Sequence, residues 1–87
     1  MVNIVTTCNG HAREEAKRYI QVQRFWNESF GRPEASATIG GVAVTRFTAS
    51  RLLNLNSAPV ARYLDGLGKK KANALRREAL LEEPKVQ

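Results

Sequence analysis

Apolar residues recur at helical spacing between residues 12 and 30. Ala12, Ala16, Tyr19, Val22, Trp26 and Phe30 gather on one stripe, while Arg13, Lys17, Arg24 and Glu28 fall opposite. The pattern predicts a long N-terminal amphipathic helix. Gly31-Arg32-Pro33 ends it, because glycine tolerates the left-handed residue after a helix and proline cannot continue one. Phe25 falls on the polar side of the same wheel, so it is either clamped by a neighbouring loop or offered to a subunit or partner. Ahead of the helix, residues 2–7 alternate branched and polar side chains as a short strand does, and Asn9-Gly10 punctuates them. Beyond it, Thr38-Ile39-Gly40-Gly41-Val42-Ala43-Val44 sets branched residues on both sides of a Gly-Gly pair. This reads as a tight hairpin or as a loop into the next helix. If it is a hairpin, residues 2–7 add a third strand, since two strands alone are marginal.

The remaining pattern predicts three short helices. Residues 48–54 form the first, with Thr48 as N-cap; residues 57–67 form the second, capped by Asn56 or Ser57. Residues 69–83 form the third, stopped by Pro84, with Gly66 and Gly68 ahead of it and a core stripe of Ala72, Leu75 and Ala79. Between the first two lies LLNLNSAPVARYL, a leucine-rich run broken by Asn-Leu-Asn-Ser and restarted behind Pro59. Two helices crossing at roughly 90–120° over a 3–4-residue turn would explain the break. Ala49 and Ser50 are small where the helices approach, Leu53 closes inward, and Leu55 plugs the turn. Val60 with Tyr63 or Leu64 points back, and Pro59 sits in a first turn where no donor is lost. Asn54 stands where the turn needs a left-handed backbone, which asparagine tolerates best after glycine.

TASRLLNLNSAPVARYL, within about residues 46–65, therefore resembles the helix-turn-helix of phage, plasmid and bacterial repressors, with Asn54 in place of the usual glycine. The resemblance implies that the second helix enters the major groove of DNA, with Asn56, Ser57, Ala58, Ala61 and Arg62 facing base edges. The fold class expected is mainly α with a small β element, in a single domain over residues 1–87. Residues 1–45 supply the long helix and the sheet, for packing or dimerisation; residues 46–84 supply the helix-turn-helix core and a basic C-terminal helix.

Composition narrows the partners. An apolar fraction of 43% and a charged fraction of 25% in 87 residues are those of one ordinary globular domain. Fourteen basic residues against eight acidic ones give a net charge of +6, unevenly placed. Residues 46–77 hold eight cations against Asp65 alone, whereas residues 1–45 hold five against four acids. Such a half is the footprint of phosphate binding, with Arg46, Thr48, Arg51, Lys69, Lys70, Lys71 and Arg76 as backbone contacts and Arg77 extending them. The Lys69-Lys70-Lys71 run opposes the dipole of the helix it begins, so an outside anion should want it; a solubilising lysine run is the plainer alternative. Leu80 and Leu81 overhang the core stripe as a candidate dimer seam.

Other chemistry is sparse. Cys8 is the sole cysteine, which excludes an internal disulfide and suits a reducing cytosol. No signal-peptide pattern and no apolar run of ~18 residues is present, so a cytoplasmic, soluble protein is expected. Cys8-x-x-His11 has metal-like spacing but nothing to complete a four-ligand set. No phosphate loop, paired-carboxylate site or serine triad stands out, so no enzyme, metal or cofactor is expected. These features point to a double-stranded DNA-binding protein of phage or plasmid type, a transcriptional repressor acting as a homodimer on two half-sites. A small inhibitor or adaptor that contacts a nucleic-acid-handling enzyme is the second reading, and an RNA-binding protein the third.

Overall fold

The computed structural model describes residues 2–82 and 85–86, with side chains over residues 10–82. Helix α1 (Val2–Glu28) leads into a hairpin of β1 (Ser36–Ile39) and β2 (Val42–Thr45), followed by α2 (Arg46–Leu67), α3 (Lys69–Leu81) and a two-residue β3 (Lys85–Val86). The predicted mainly helical chain with a small antiparallel element is what forms. The strand predicted for residues 2–7 is instead helical, and the third place in the sheet goes to β3, in the order β2-β1-β3.

The hairpin follows from local chemistry. Ser36 pairs with Thr45 and Ile39 with Val42, leaving Gly40 and Gly41 as a two-residue turn. Their φ values of 61° and 81° are the left-handed pair that such a turn demands, which glycine adopts without steric strain. Alternation along β1 and β2 sends Ala37, Ile39 and Val44 onto α1, where they meet Phe25 and Val22.

Phe25 corrects the single-stripe reading of α1. It is fully buried, the largest such side chain among the described residues, and Phe30, placed on the core stripe, is 81% exposed. Nine residues separate Ala16 from Phe25, hence about half a turn round the helix axis. Both are 0% exposed because the middle of α1 and its C-terminal part are covered from different sides. Ala16 meets Val60 and Leu75 with Tyr19 and Tyr63 beside them. Phe25 lies under the hairpin, against Ala37, Ile39 and Ala49. A neighbouring segment therefore clamps Phe25, and it is no subunit contact.

The helix-turn-helix bend at Asn54–Asn56 is also corrected. Helix α2 runs unbroken from Arg46 to Leu67 through Asn54, Asn56 and Pro59. Only glycines have positive φ among the described residues, so Asn54 is not the left-handed hinge. The N-cap is Thr45, not Thr48: its hydroxyl accepts from the Thr48 amide at 3.2 Å. Asn56 and Ser57 cap nothing, and Asn56 donates its side-chain amide to the Leu52 carbonyl one turn back, at 2.9 Å. Pro59 is exposed, and the carbonyl it leaves unbonded, that of Leu55, is on the solvent side of the helix. Ala49, Leu52, half-buried Asn56, Val60, Leu64 and Leu67 keep 3–4-residue spacing straight across the expected break, and the apolar ones join the two clusters to which α1 contributes Phe25 and Ala16. The sequence break is real in propensity, but continuous burial overrides it. The true reversal comes at Gly68, whose φ of 87° turns the chain into α3.

The last helix ends at Leu81, and Ala72, Leu75 and Ala79 are buried as expected. Pro84, its expected stop, lies outside the described residues. No helix among the described residues is long and apolar enough to cross a membrane.

Because Asn54 is exposed inside a helix, Asn54→Ala should stabilise the protein by about 0.5 kcal/mol in urea unfolding followed by far-UV circular dichroism. A left-handed hinge at that position would make the same change destabilising by about 1–2 kcal/mol.

Candidate functional site

The cations divide into two populations. Three of the four on α1 are engaged with acids, Arg18 being exposed: Arg13 pairs with Glu78 and Glu14, Lys17 with Glu78 at 3.3 Å and Glu82 at 3.1 Å, and Arg24 with Glu28 at 3.1 Å. The pairs to Glu78 and Glu82 dock α3 along α1, helped by Gln21, which donates to the carbonyls of Ala79 and Glu82 at 3.0 Å. The hydrogen bond from Arg13, then that from Lys17, holds the Glu78 carboxyl below the usual carboxylate range. Hydrogen bonding to Glu82 raises the Lys17 ammonium, and hydrogen bonding to Glu78 raises the Arg13 guanidinium.

Arg46 is engaged differently. Its Nη1 donates to the Trp26 carbonyl at 2.7 Å and to the Ser29 hydroxyl at 2.8 Å, and its guanidinium lies 3.9 Å from the Trp26 ring centroid. Ser29 in turn donates to the Phe25 carbonyl at 2.6 Å. The last turn of α1 thus gains a cation at its electronegative end and partners for carbonyls that helix geometry leaves open. Arg46 was expected to grip a phosphate; the fold uses it as a cap instead.

The second population lies on α2 and α3. Arg51, Arg62, Lys69, Lys70, Lys71, Arg76 and Arg77 are all exposed, and among the described residues none forms an ion pair. Arg51 faces the Phe47 ring at 5.8 Å and Arg76 donates to the side-chain Oδ1 of Asn73 at 3.2 Å, both neutral partners. Lys69 and Arg76 are seven residues apart, as are Lys70 and Arg77, so each pair shares a face of α3 two turns apart. No side chain caps the N-terminus of α3, which leaves the dipole's positive end beside three lysines. Thr48, the remaining phosphate candidate, is exposed, but its hydroxyl lies 3.1 Å from that of Thr45.

The residues expected to read bases do not share a face. Asn56 is half-buried and turned to Leu52. Ser57 and Ala61 line a cleft of about 240 Å³ with Val60, Asp65 and Arg76. Ala58 and Arg62 are exposed on the outer side of α2, facing away from that cleft. The structure therefore joins Ser57 and Ala61 to Arg76 and separates them from Arg62. Of the expected dimer seam, Leu80 is half-buried and Leu81 is 85% exposed. The caps and ion pairs missed from sequence, at Arg46, Arg13 and Lys17, join residues 17 or more positions apart, and no local spacing announces them.

Comparison with known proteins gives no match, whether to a protein-family model, a curated protein or a solved structure.

The caps and ion pairs carry two predictions. Arg46→Lys keeps the charge but loses the planar fork over Trp26, and should lower the unfolding free energy by about 1–2 kcal/mol in a urea titration. Glu78 has a lowered folded-state pKa, so its contribution is complete above the unfolded-state value and disappears as pH falls through the folded one. Glu78→Gln should therefore melt below the parent at neutral pH, and the gap should close on acidification past that folded value. Arg13 and Lys17 stay charged across this whole range, so a gap that persists in acid would assign the effect to packing.

Proposed function

We propose that the protein binds the sugar-phosphate backbone of double-stranded DNA through the surface where α2 meets α3. The observation that supports this reading is the charge order of α3. A helix favours acids at its first turn and bases at its last. Helix α3 has Lys69, Lys70 and Lys71 at its start and Glu78 and Glu82 near its end, the reverse at both ends. The acids have a reason within the fold, since Arg13 and Lys17 need them. The lysines have no acidic partner among the described residues, and an external phosphate row is the anion that suits exposed cations on a helix N-terminus.

Lys69 with Arg76 and Lys70 with Arg77 would then follow one backbone, and α3 would lie along it rather than enter a groove. Backbone contacts fix position and carry no sequence information by themselves. Selection of an operator by a repressor dimer would need base-edge contacts from Ser57, Ala58, Ala61 and Arg62, which the continuous α2 directs two ways. Non-specific or shape-directed duplex association is accordingly the reading that the geometry favours over repression through a helix-turn-helix.

The test is fluorescence anisotropy with a labelled duplex of random sequence across a salt series. The parent should bind at about 50 mM salt, with affinity falling steeply as salt rises. Lys69→Gln, Lys70→Gln and Lys71→Gln together should weaken binding and flatten the log–log salt slope by about 2–3, close to 0.9 for each phosphate that is no longer neutralised. Removing like charges from a helix N-terminus does not harm folding, so weaker binding is not ascribable to unfolding. An unchanged slope, or a parent with no duplex affinity at low salt, refutes the reading.

A further inference from the structure

On the outer face of α2, Phe47, Arg51, Leu55, Ala58 and Arg62 follow one another at spacings of four, four, three and four residues. All five are exposed, with Phe47 at 73% and Leu55 at 69%. A single exposed leucine needs no explanation, but a phenylalanine and a leucine presented two turns apart on one rigid helix, with an arginine between them, form an ordered surface. We infer that this face docks an acidic amphipathic helix of another protein.

Shape and charge both select that occupant. Leu55 also borders a groove of about 320 Å³ between α1 and α2, where Tyr19, Val22 and Leu52 continue the apolar floor and Glu15, Arg18 and Asn56 form the polar rim. The face thus offers a socket beside a ridge, the arrangement that takes apolar side chains at i, i+3, i+4 and i+7 of an incoming helix. Ala58 leaves room for a second backbone to approach. Arg51 and Arg62 bracket the apolar centre without an acid on either among the described residues, so carboxylates flanking the incoming apolar seam would complete them. Arg51 already lies 5.8 Å from the Phe47 ring centroid, which orients it before a partner arrives.

A second copy of this chain fits the same face poorly. Antiparallel pairing centred between Leu55 and Ala58 sets Arg51 against Arg62 of the other copy at both ends. Parallel pairing sets each arginine against itself, and like charges across a helix seam are disfavoured in either case. Duplex DNA gains nothing from Phe47 or Leu55, neither of which offers a hydrogen bond to a phosphate. This inference stands apart from duplex binding by α3, since it rests on different residues.

The probe is a labelled synthetic helix of roughly three heptads, with leucine at the seam positions and glutamate beside them, which repels its own copies; the control has lysine in place of glutamate. The glutamate peptide should bind the full chain and shift the amide resonances of residues 47–62, whereas the lysine peptide should not bind. Phe47→Ser with Leu55→Ser should weaken the glutamate peptide at least about tenfold. The urea midpoint and duplex affinity should stay unchanged, because both side chains are exposed. Equal binding of the two peptides, resonance shifts confined to other residues, or undiminished binding by the double variant would each overturn the inference. So would a parent dimer in sedimentation that the double variant dissolves, which would assign the face to self-association. Loss of duplex affinity in the double variant would assign it to nucleic acid, with the same consequence.

Discussion

Helix α1 is buried on opposite sides at its middle and toward its C-terminal end, and the rest of the architecture has to satisfy that. Ala16 and Phe25 are both inaccessible and point about half a turn apart. One neighbour cannot cover both directions, so the hairpin closes over Phe25 while α3 closes over Ala16. Helix α2 touches both clusters, through Ala49 and Leu52 near one end and Val60 and Leu64 near the other. From residue 49 to residue 60 a straight helix advances about 16 Å, carrying a continuous inner stripe from one cluster to the other. A crosswise bend at residues 54–56 would swing Val60 away from Ala16 and open the second cluster. Asn54, Asn56 and Pro59 are consequently held helical by what lies on either side of them.

The same arrangement decides which charges remain available. Helix α3 has to lie along the middle of α1 to supply Leu75, and in doing so it brings Glu78 and Glu82 to Arg13 and Lys17. Arg46, the first residue of α2, falls beside the last turn of α1 because the hairpin returns the chain there, and it serves as that helix's cap. The folding requirements thus use Arg13, Lys17 and Arg24 of α1 and the first cation of α2. Those from Arg51 to Arg77 lie on faces that the fold does not need, and the surface charge of the protein is concentrated there.

What could be read from the sequence was what depends on neighbouring residues. Gly40-Gly41 between branched residues specified the hairpin because the turn's demand for positive φ is met within two residues. The buried stripe Ala72, Leu75, Ala79 and the exposure of Lys69, Lys70 and Lys71 were equally local, since the helix period alone sorts them. Phe25 was legible only as one of two alternatives, a clamp by a neighbouring segment, because a wheel with one stripe assumes one neighbour and the covering hairpin follows 11 or more positions later in the chain. Asn54 misled for the opposite reason: its turn propensity is local and genuine, while the burial that overrules it comes from α1. Arg46 carried the right charge for a phosphate contact, but its partners Trp26 and Ser29 lie 20 and 17 residues away.

Continuity of α2 also separates the surfaces that a bend would have fused. Successive residues of a helix point about 100° apart, so Ser57 and Ala61 turn toward α3 while Ala58 and Arg62 turn outward. The first pair shares a cleft with Arg76 and belongs with the cations of α3. The second lies in line with Phe47, Arg51 and Leu55, where exposed apolar groups alternate with arginines. A phosphate row favours dense cations and has no use for a phenylalanine, whereas an amphipathic helix wants apolar anchors with charges at the margin. The two faces lie about 100° apart around one stiff rod and differ in chemistry, so the proposed duplex and the proposed helical partner would call on different side chains.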